Sequence, residues 1–124
     1  MPQILVVDDE PDLRRYLADE LIDDGYRVDT AGDGVDAVLR VIDGGIDLVL
    51  MDIRMPRLDG LNALRILRRL APSIPVIMFT GQAGQGDMLE TTRLGAKTCL
   101  LKPVNVDRLK ETVVQSLGRA PARL

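Results

Sequence analysis

Residues 4–10 read ILVVDDE, four aliphatic side chains in a row that end abruptly in three acids. A run without polar alternation is the pattern of a strand covered on both faces, as in a parallel sheet. Outward along the chain the same pattern returns at residues 48–51, 76–79 and 99–101. Residues 26–31 alternate instead, with Tyr26, Val28 and Thr30 on one side and Arg27 and Asp29 on the other, which predicts an edge strand. Four amphipathic segments lie between and after these runs. Their apolar positions are Leu13, Tyr16, Leu17 and Leu21; Val35, Val38, Val41 and Ile42; Leu61, Leu64, Leu67 and Leu70; and Val106, Leu109, Val113 and Leu117. Three- and four-residue spacing puts each set on one helical face. Residues 84–94 form a poorer stripe of Met88, Leu89, Thr92 and Leu94, and complete the pattern as a fifth helix. Strand then helix, five times over, is an α/β fold: a parallel sheet with right-handed crossovers and helices on both faces.

Composition sets the limits of the chemistry. At 124 residues the chain is one domain of ordinary size, long enough to hold a core without disulfides or structural metal. The absence of His removes imidazole-based triads and His-ligated metal sites. A single cysteine, Cys99, makes neither an intrachain bridge nor a zinc cluster, and with no signal peptide or membrane-length apolar stretch it points to the cytoplasm. A net charge of −3 and three aromatic residues speak against direct nucleic-acid binding by this domain, which needs a basic face or stacking platforms.

In open α/β sheets, ligands sit beyond the carboxyl ends of the strands. Polar residues follow the apolar runs there: Asp8 and Asp9, Asp52, Thr80 and Lys102. Taken singly, each has an ordinary reading. Asp9 or Asp12 could cap a helix ahead of Pro11, Asp52 could be a loop acid, Thr80 a strand-end hydroxyl and Lys102 an exposed lysine. Together, at successive strand ends, they make a site. Three carboxylates on adjacent strands about 4.8 Å apart repel unless a cation intervenes. Mg²⁺, which prefers oxygen ligands and keeps waters for phosphate, suits them. With the Lys102 ammonium and the Thr80 hydroxyl this is a set able to hold a tetrahedral dianion, and phosphoryl transfer is the reaction class indicated. The glycines of GQAGQG at residues 81–86 match no Walker A pattern and are read as a mobile loop.

ILVVDDE, DLVLMDIRMPRLDG, VIMFTG and LLKP, in this order and spacing, resemble the receiver domain of two-component response regulators. The resemblance spans residues 3–117. It implies a flavodoxin-like (βα)5 fold, a doubly wound five-stranded sheet of order 2-1-3-4-5, over a receiver domain at 1–118, with 119–124 a tail or the start of a linker. It further implies that Asp52 accepts a phosphoryl group from a phosphohistidine on a sensor histidine kinase or phosphotransfer protein. Asp8, Asp9, Asp52 and the main-chain carbonyl of Arg54 would bind Mg²⁺, Lys102 would pair with phosphoryl oxygens, and Thr80 would move to hydrogen-bond one of them. The Lys102–Pro103 bond would be cis. Lacking His, the chain cannot be its own donor. The switch would act on an output partner or attached domain not identifiable from sequence, with a phosphorylation-dependent homodimer as one form.

Two departures stand out. Many receivers carry Tyr or Phe three residues before the lysine, where this chain has Cys99, so output is expected through the loop after Thr80 or the helix that follows. GAKTCLLKP also lacks the acidic pair of one large transcription-factor subfamily. Gly60 is read either as the residue that turns the loop tightly or as a plain helix start. A competing function is a Mg²⁺-dependent aspartyl phosphatase of the haloacid dehalogenase type. That chemistry places an acid two residues after the nucleophile, where this chain has Arg54, so the expectation is no enzyme beyond self-phosphorylation and slow dephosphorylation. A receiver-like interaction domain that works without phosphorylation is the other alternative, disfavoured by the intact acid, hydroxyl and lysine set.

Overall fold

A computed structural model describes residues 1–81 and 85–118. In chain order the elements are β1 (Gln3–Val7), α1 (Pro11–Asp23), β2 (Arg27–Ala31), α2 (Gly34–Ile42), β3 (Leu48–Asp52), α3 (Gly60–Leu70), β4 (Val76–Thr80), α4 (Gln85–Arg93), β5 (Thr98–Leu101) and α5 (Val106–Leu117). The strands are all parallel, in the order β2-β1-β3-β4-β5. This is the flavodoxin-like arrangement, with residues 27–31 at one edge as expected, but β5, whose residues 99–101 read as a strand covered on both faces, forms the other edge: it pairs with β4 alone and leaves Leu101 48% exposed. The readings for residues 82–84 and 119–124 lie outside the described residues.

Side-chain alternation on the buried strands feeds two cores. Ile4, Val6, Leu48, Leu50, Ile77 and Phe79 face Leu17 and Leu21 of α1 and Leu109 and Val113 of α5. Leu5, Val7, Val49, Met51, Val76 and Met78 face α2 and α3 through Ala37, Val41, Leu64 and Leu67. Full burial of each such side chain stabilises the fold by about 1.5–3 kcal/mol, which is why continuous apolar runs, not propensity, fix the sheet centre.

Helix starts follow local chemistry. Asp33, Asp59 and Asn105 cap α2, α3 and α5, accepting from the amides of Asp36, Asn62 and Arg108 at 2.9, 2.9 and 3.0 Å. Gly118 ends α5 at φ 77°, a left-handed conformation that a glycine adopts without strain. The capping role considered for Asp9 or Asp12 is not realised. Glu10 holds the N-cap position of α1 without a side-chain bond, Pro11 follows it, and Asp12 lies in the first turn.

Several expected core positions are exposed. Tyr16, Ile42 and Leu70 keep 51%, 59% and 56% of their surface, because the sheet covers a narrower strip than their helices' apolar stripes offer. Tyr26 precedes β2 instead of belonging to it and is buried beside Leu17 and Leu21. Asp52 and Thr80 are the last residues of β3 and β4, one position inside the strands from where the sequence placed them.

Candidate functional site

Parallel register assembles the site. Val7 pairs with Met51, so the next residues, Asp8 and Asp52, are neighbours at the strand ends. Asp52 pairs with Phe79, and Thr80 with Leu101, which brings Thr80 and Lys102 to the same edge. Asp8, Asp9 and Asp52 each present a carboxylate oxygen within 4.8 Å of the others. Asp8 and Asp52 are buried and Asp9 is exposed, so the cluster is open to solvent on one side only.

Lys102 is the counter-ion. Its Nζ lies 2.9 Å from Asp52 Oδ2, 3.1 Å from Asp8 Oδ2 and 3.3 Å from Glu10 Oε1, and 5.6 Å from the centre of the Phe79 ring. Burial alone would lower its pKa, but the Asp52 and Asp8 carboxylates outweigh that and hold the ammonium above its usual range. Asp8 goes the other way. Burial pushes its carboxyl up, more than the Glu10 amide and Lys102 pull it down. The backbone aids both acids: Glu10 N–H donates to Asp8 Oδ1 at 2.8 Å and Arg54 N–H to Asp52 Oδ1 at 3.3 Å. The Lys102–Pro103 bond is cis, as the resemblance implies.

The donor set fits a hard divalent cation. Asp8 Oδ2 is buried without a hydrogen bond and meets Lys102 only as an ion pair, while Asp9 and Asp52 contribute oxygens from neighbouring positions. Carboxylates alone, with no sulfur or imidazole, favour Mg²⁺ chemistry over zinc or copper.

Every site residue expected from the sequence lies at this edge. Its supports were not legible. Arg14 donates to the Asp8 carbonyl at 2.7 Å and so fixes the β1–α1 turn. Arg57, at φ 68° in the turn after Pro56, pairs with Asp33 at 3.0 Å, and Asp33 also caps α2. The Arg54 guanidinium meets Asp87 of α4 at 3.0 Å. Only Arg57 left a trace in the sequence, as the residue after a proline ahead of a glycine-started helix. Gly60 has no positive φ; it starts α3, and what matters is its missing Cβ, which would run into the Asp52 carbonyl. Gly34 likewise stands against the Leu58 carbonyl, locking α2 to the loop after Asp52. Cys99 is half-buried and packs against the α2/α3 core. Burial pushes its thiol pKa up, in keeping with a packing role.

The sequence profile of the response regulator receiver domain matches residues 4–114. Among curated proteins, the sensor histidine kinase RcsC of Salmonella typhi is 43% identical over 110 residues, covering 89% of this chain and 12% of that protein. The transcriptional regulatory protein TcrA of Mycobacterium tuberculosis is 39% identical over 107 residues, covering 86% of this chain and 42% of that one. The chain thus spans less than half the length of either relative. Among solved structures, the CheY-like response regulator receiver domain protein of Methanospirillum hungatei superposes with a TM-score of 0.92 at 28% identity, covering 95% and 94% of the two chains. The receiver domain of NtrX from Brucella abortus gives 0.88 at 36% identity, covering 93% and 98%. No described helix is long and apolar enough to cross a membrane.

Proposed function

The chain belongs to the response regulator receiver domain family, and on that premise we propose that Asp52 is its phosphoacceptor, with Lys102, Thr80 and a Mg²⁺ ion completing the site. One Asp52 oxygen attacks the phosphorus of a phosphohistidine on a sensor histidine kinase or phosphotransfer protein. The P–N bond breaks, its electron pair stays with the imidazole, and an acyl phosphate forms on Asp52. Mg²⁺, held by Asp8, Asp9, Asp52 and the Arg54 carbonyl, would supply charge neutralisation on the transferring oxygens. Lys102 is already within 3 Å of the nucleophile and follows the phosphoryl oxygens as they arrive. Buried Thr80, at the end of β4, donates its hydroxyl to one of them after a small shift.

The observation that carries this reading is the Lys102 ammonium shared between Asp52 and Asp8 at the mouth of a three-carboxylate cluster. The phosphatase alternative is not favoured, because Arg54 occupies the position where that chemistry needs an acid and directs its guanidinium to Asp87. The product adds about −1.5 to −2 charges at a strand end, and that charge is the signal to an output partner or attached domain. The site works in the cytoplasm, without enzyme turnover on a diffusible substrate. Intact-mass measurement after acetyl phosphate and Mg²⁺ tests the assignment. Wild type gains one phosphoryl group and Asp52→Asn gains none; equal labelling of both refutes it.

A further inference from the structure

We infer that the Arg54 side chain is a charge-exchange arm: Asp87 of α4 holds it while Asp52 is unmodified, and a phosphoryl group on Asp52 draws it away and frees α4. The inference rests on Asp52 being the phosphoacceptor. The Arg54 backbone amide already donates to Asp52 Oδ1, so anything carried on Asp52 lies within reach of the side chain two residues along. The guanidinium has one partner among the described residues, Asp87 Oδ2 at 3.0 Å. That pair is open to water, with side chains 65% and 25% exposed, and exposed pairs are weak.

The other basic groups at this edge are committed more firmly. Lys102 is enclosed by carboxylates, Arg57 pairs with the nearly buried Asp33, and Arg14 holds the Asp8 carbonyl. Three site carboxylates are balanced by Lys102 and a divalent cation. A phosphoryl group on Asp52 adds negative charge that this balance does not meet. A guanidinium binds a phosphoryl dianion through two parallel hydrogen bonds, more strongly than one oxygen of a hydrated carboxylate. The exchange therefore runs toward Asp52. Its consequence falls on α4: among the described residues of that helix Thr91 is buried but Leu89 is 72% exposed, and Arg65–Glu90 at 3.4 Å is the ion pair that joins α4 to α3.

The test uses the whole chain with beryllofluoride and Mg²⁺ in place of the phosphoryl group, read by ¹⁵N spectra of backbone amides and arginine Nε–H. In wild type, bound beryllofluoride should shift the Arg54 Nε–H and the amides of residues 87–93. In Asp87→Asn and in Arg54→Gln, the α4 amides should already sit displaced toward the bound wild-type positions before any addition. Arg54→Lys, which keeps the charge but not the paired hydrogen bonds, should hold α4 near its unliganded wild-type position and give a smaller α4 response than wild type on addition. In Asp87→Asn the Arg54 Nε–H should still shift on addition, which a merely structural Arg54–Asp87 pair would not produce. An Arg54 Nε–H unmoved by bound beryllofluoride, or α4 amides in both variants matching unliganded wild type, overturns the exchange and leaves the phosphoacceptor intact. Absence of a bound ¹⁹F signal on wild type overturns the phosphoacceptor reading and this inference with it.

Discussion

Replacing Lys102 with methionine keeps the length and apolar stem of the side chain and removes the charge that holds the acids together. The ammonium stands 2.9 and 3.1 Å from two buried carboxylate oxygens. At an effective dielectric of about 20 each contact is worth roughly 5–6 kcal/mol before desolvation. Burying the lysine offsets most of that, and breaking such a pair leaves a net loss of roughly 2–4 kcal/mol. With a urea slope of about 2 kcal/mol/M, the unfolding midpoint at pH 7 in a chelator should fall by about 1–2 M. The pH dependence identifies the cause. Asp8 has a folded-state pKa already raised above 3.8 by burial, so its ionisation costs stability as pH rises through that raised value and costs nothing below 3.8. Without Lys102 the Asp8 pKa climbs further, so the gap between wild type and variant should be large at pH 7 and close as pH falls toward 4. Millimolar Mg²⁺ should narrow the gap at pH 7, since a cation that binds only the folded chain replaces part of the lost charge. A loss that is the same at both pH values, or smaller than about 0.5 kcal/mol at pH 7, would refute the view of Lys102 as counter-ion to a buried carboxylate pair.

Other consequences are as direct. Asp8→Asn removes a carboxylate whose burial is under-compensated, so in a chelator at pH 7 it should raise stability by about 0.5–2 kcal/mol while abolishing Mg²⁺-induced stabilisation, both read from urea curves. Asp33→Ala removes a helix cap and the partner of Arg57 together, and should cost about 1–3 kcal/mol in the same assay. Gly60→Ala sets a Cβ against the Asp52 carbonyl and Met78; calorimetry should show a lowered unfolding temperature, and phosphorylation of Asp52 should slow because the nucleophile's own backbone must shift. Cys99, half-buried with a raised pKa, should alkylate more slowly with iodoacetamide in the folded protein than in urea.

The sheet was legible because its central strands are buried on both faces, and a continuous apolar run has few other homes. The site was legible for a related reason: Asp8, Asp52, Thr80 and Lys102 interrupt those runs at matching ends, and a parallel sheet brings matching ends together. What was not legible depends on pairings between elements that sequence spacing does not encode. Asp33 meets Arg57, and Arg54 meets Asp87, across loops whose path is set by backbone packing at Gly34 and Gly60. The poor stripe at residues 84–94 reflects a helix that is itself loosely covered, with Leu89 facing solvent. Tyr16, Ile42 and Leu70 show the opposite failure, in which a helical stripe extends past the sheet that should cover it.

The most direct measurement is reductive trapping. An acyl phosphate on an aspartate is cleaved by borohydride to give homoserine at the modified position, which peptide sequencing by mass spectrometry then locates. After exposure to acetyl phosphate and Mg²⁺, homoserine should appear at residue 52 and at no other acid. Homoserine at residue 8 or 9, or none anywhere in a chain that has taken up phosphate, would contradict the assignment of Asp52 as the group that receives the signal.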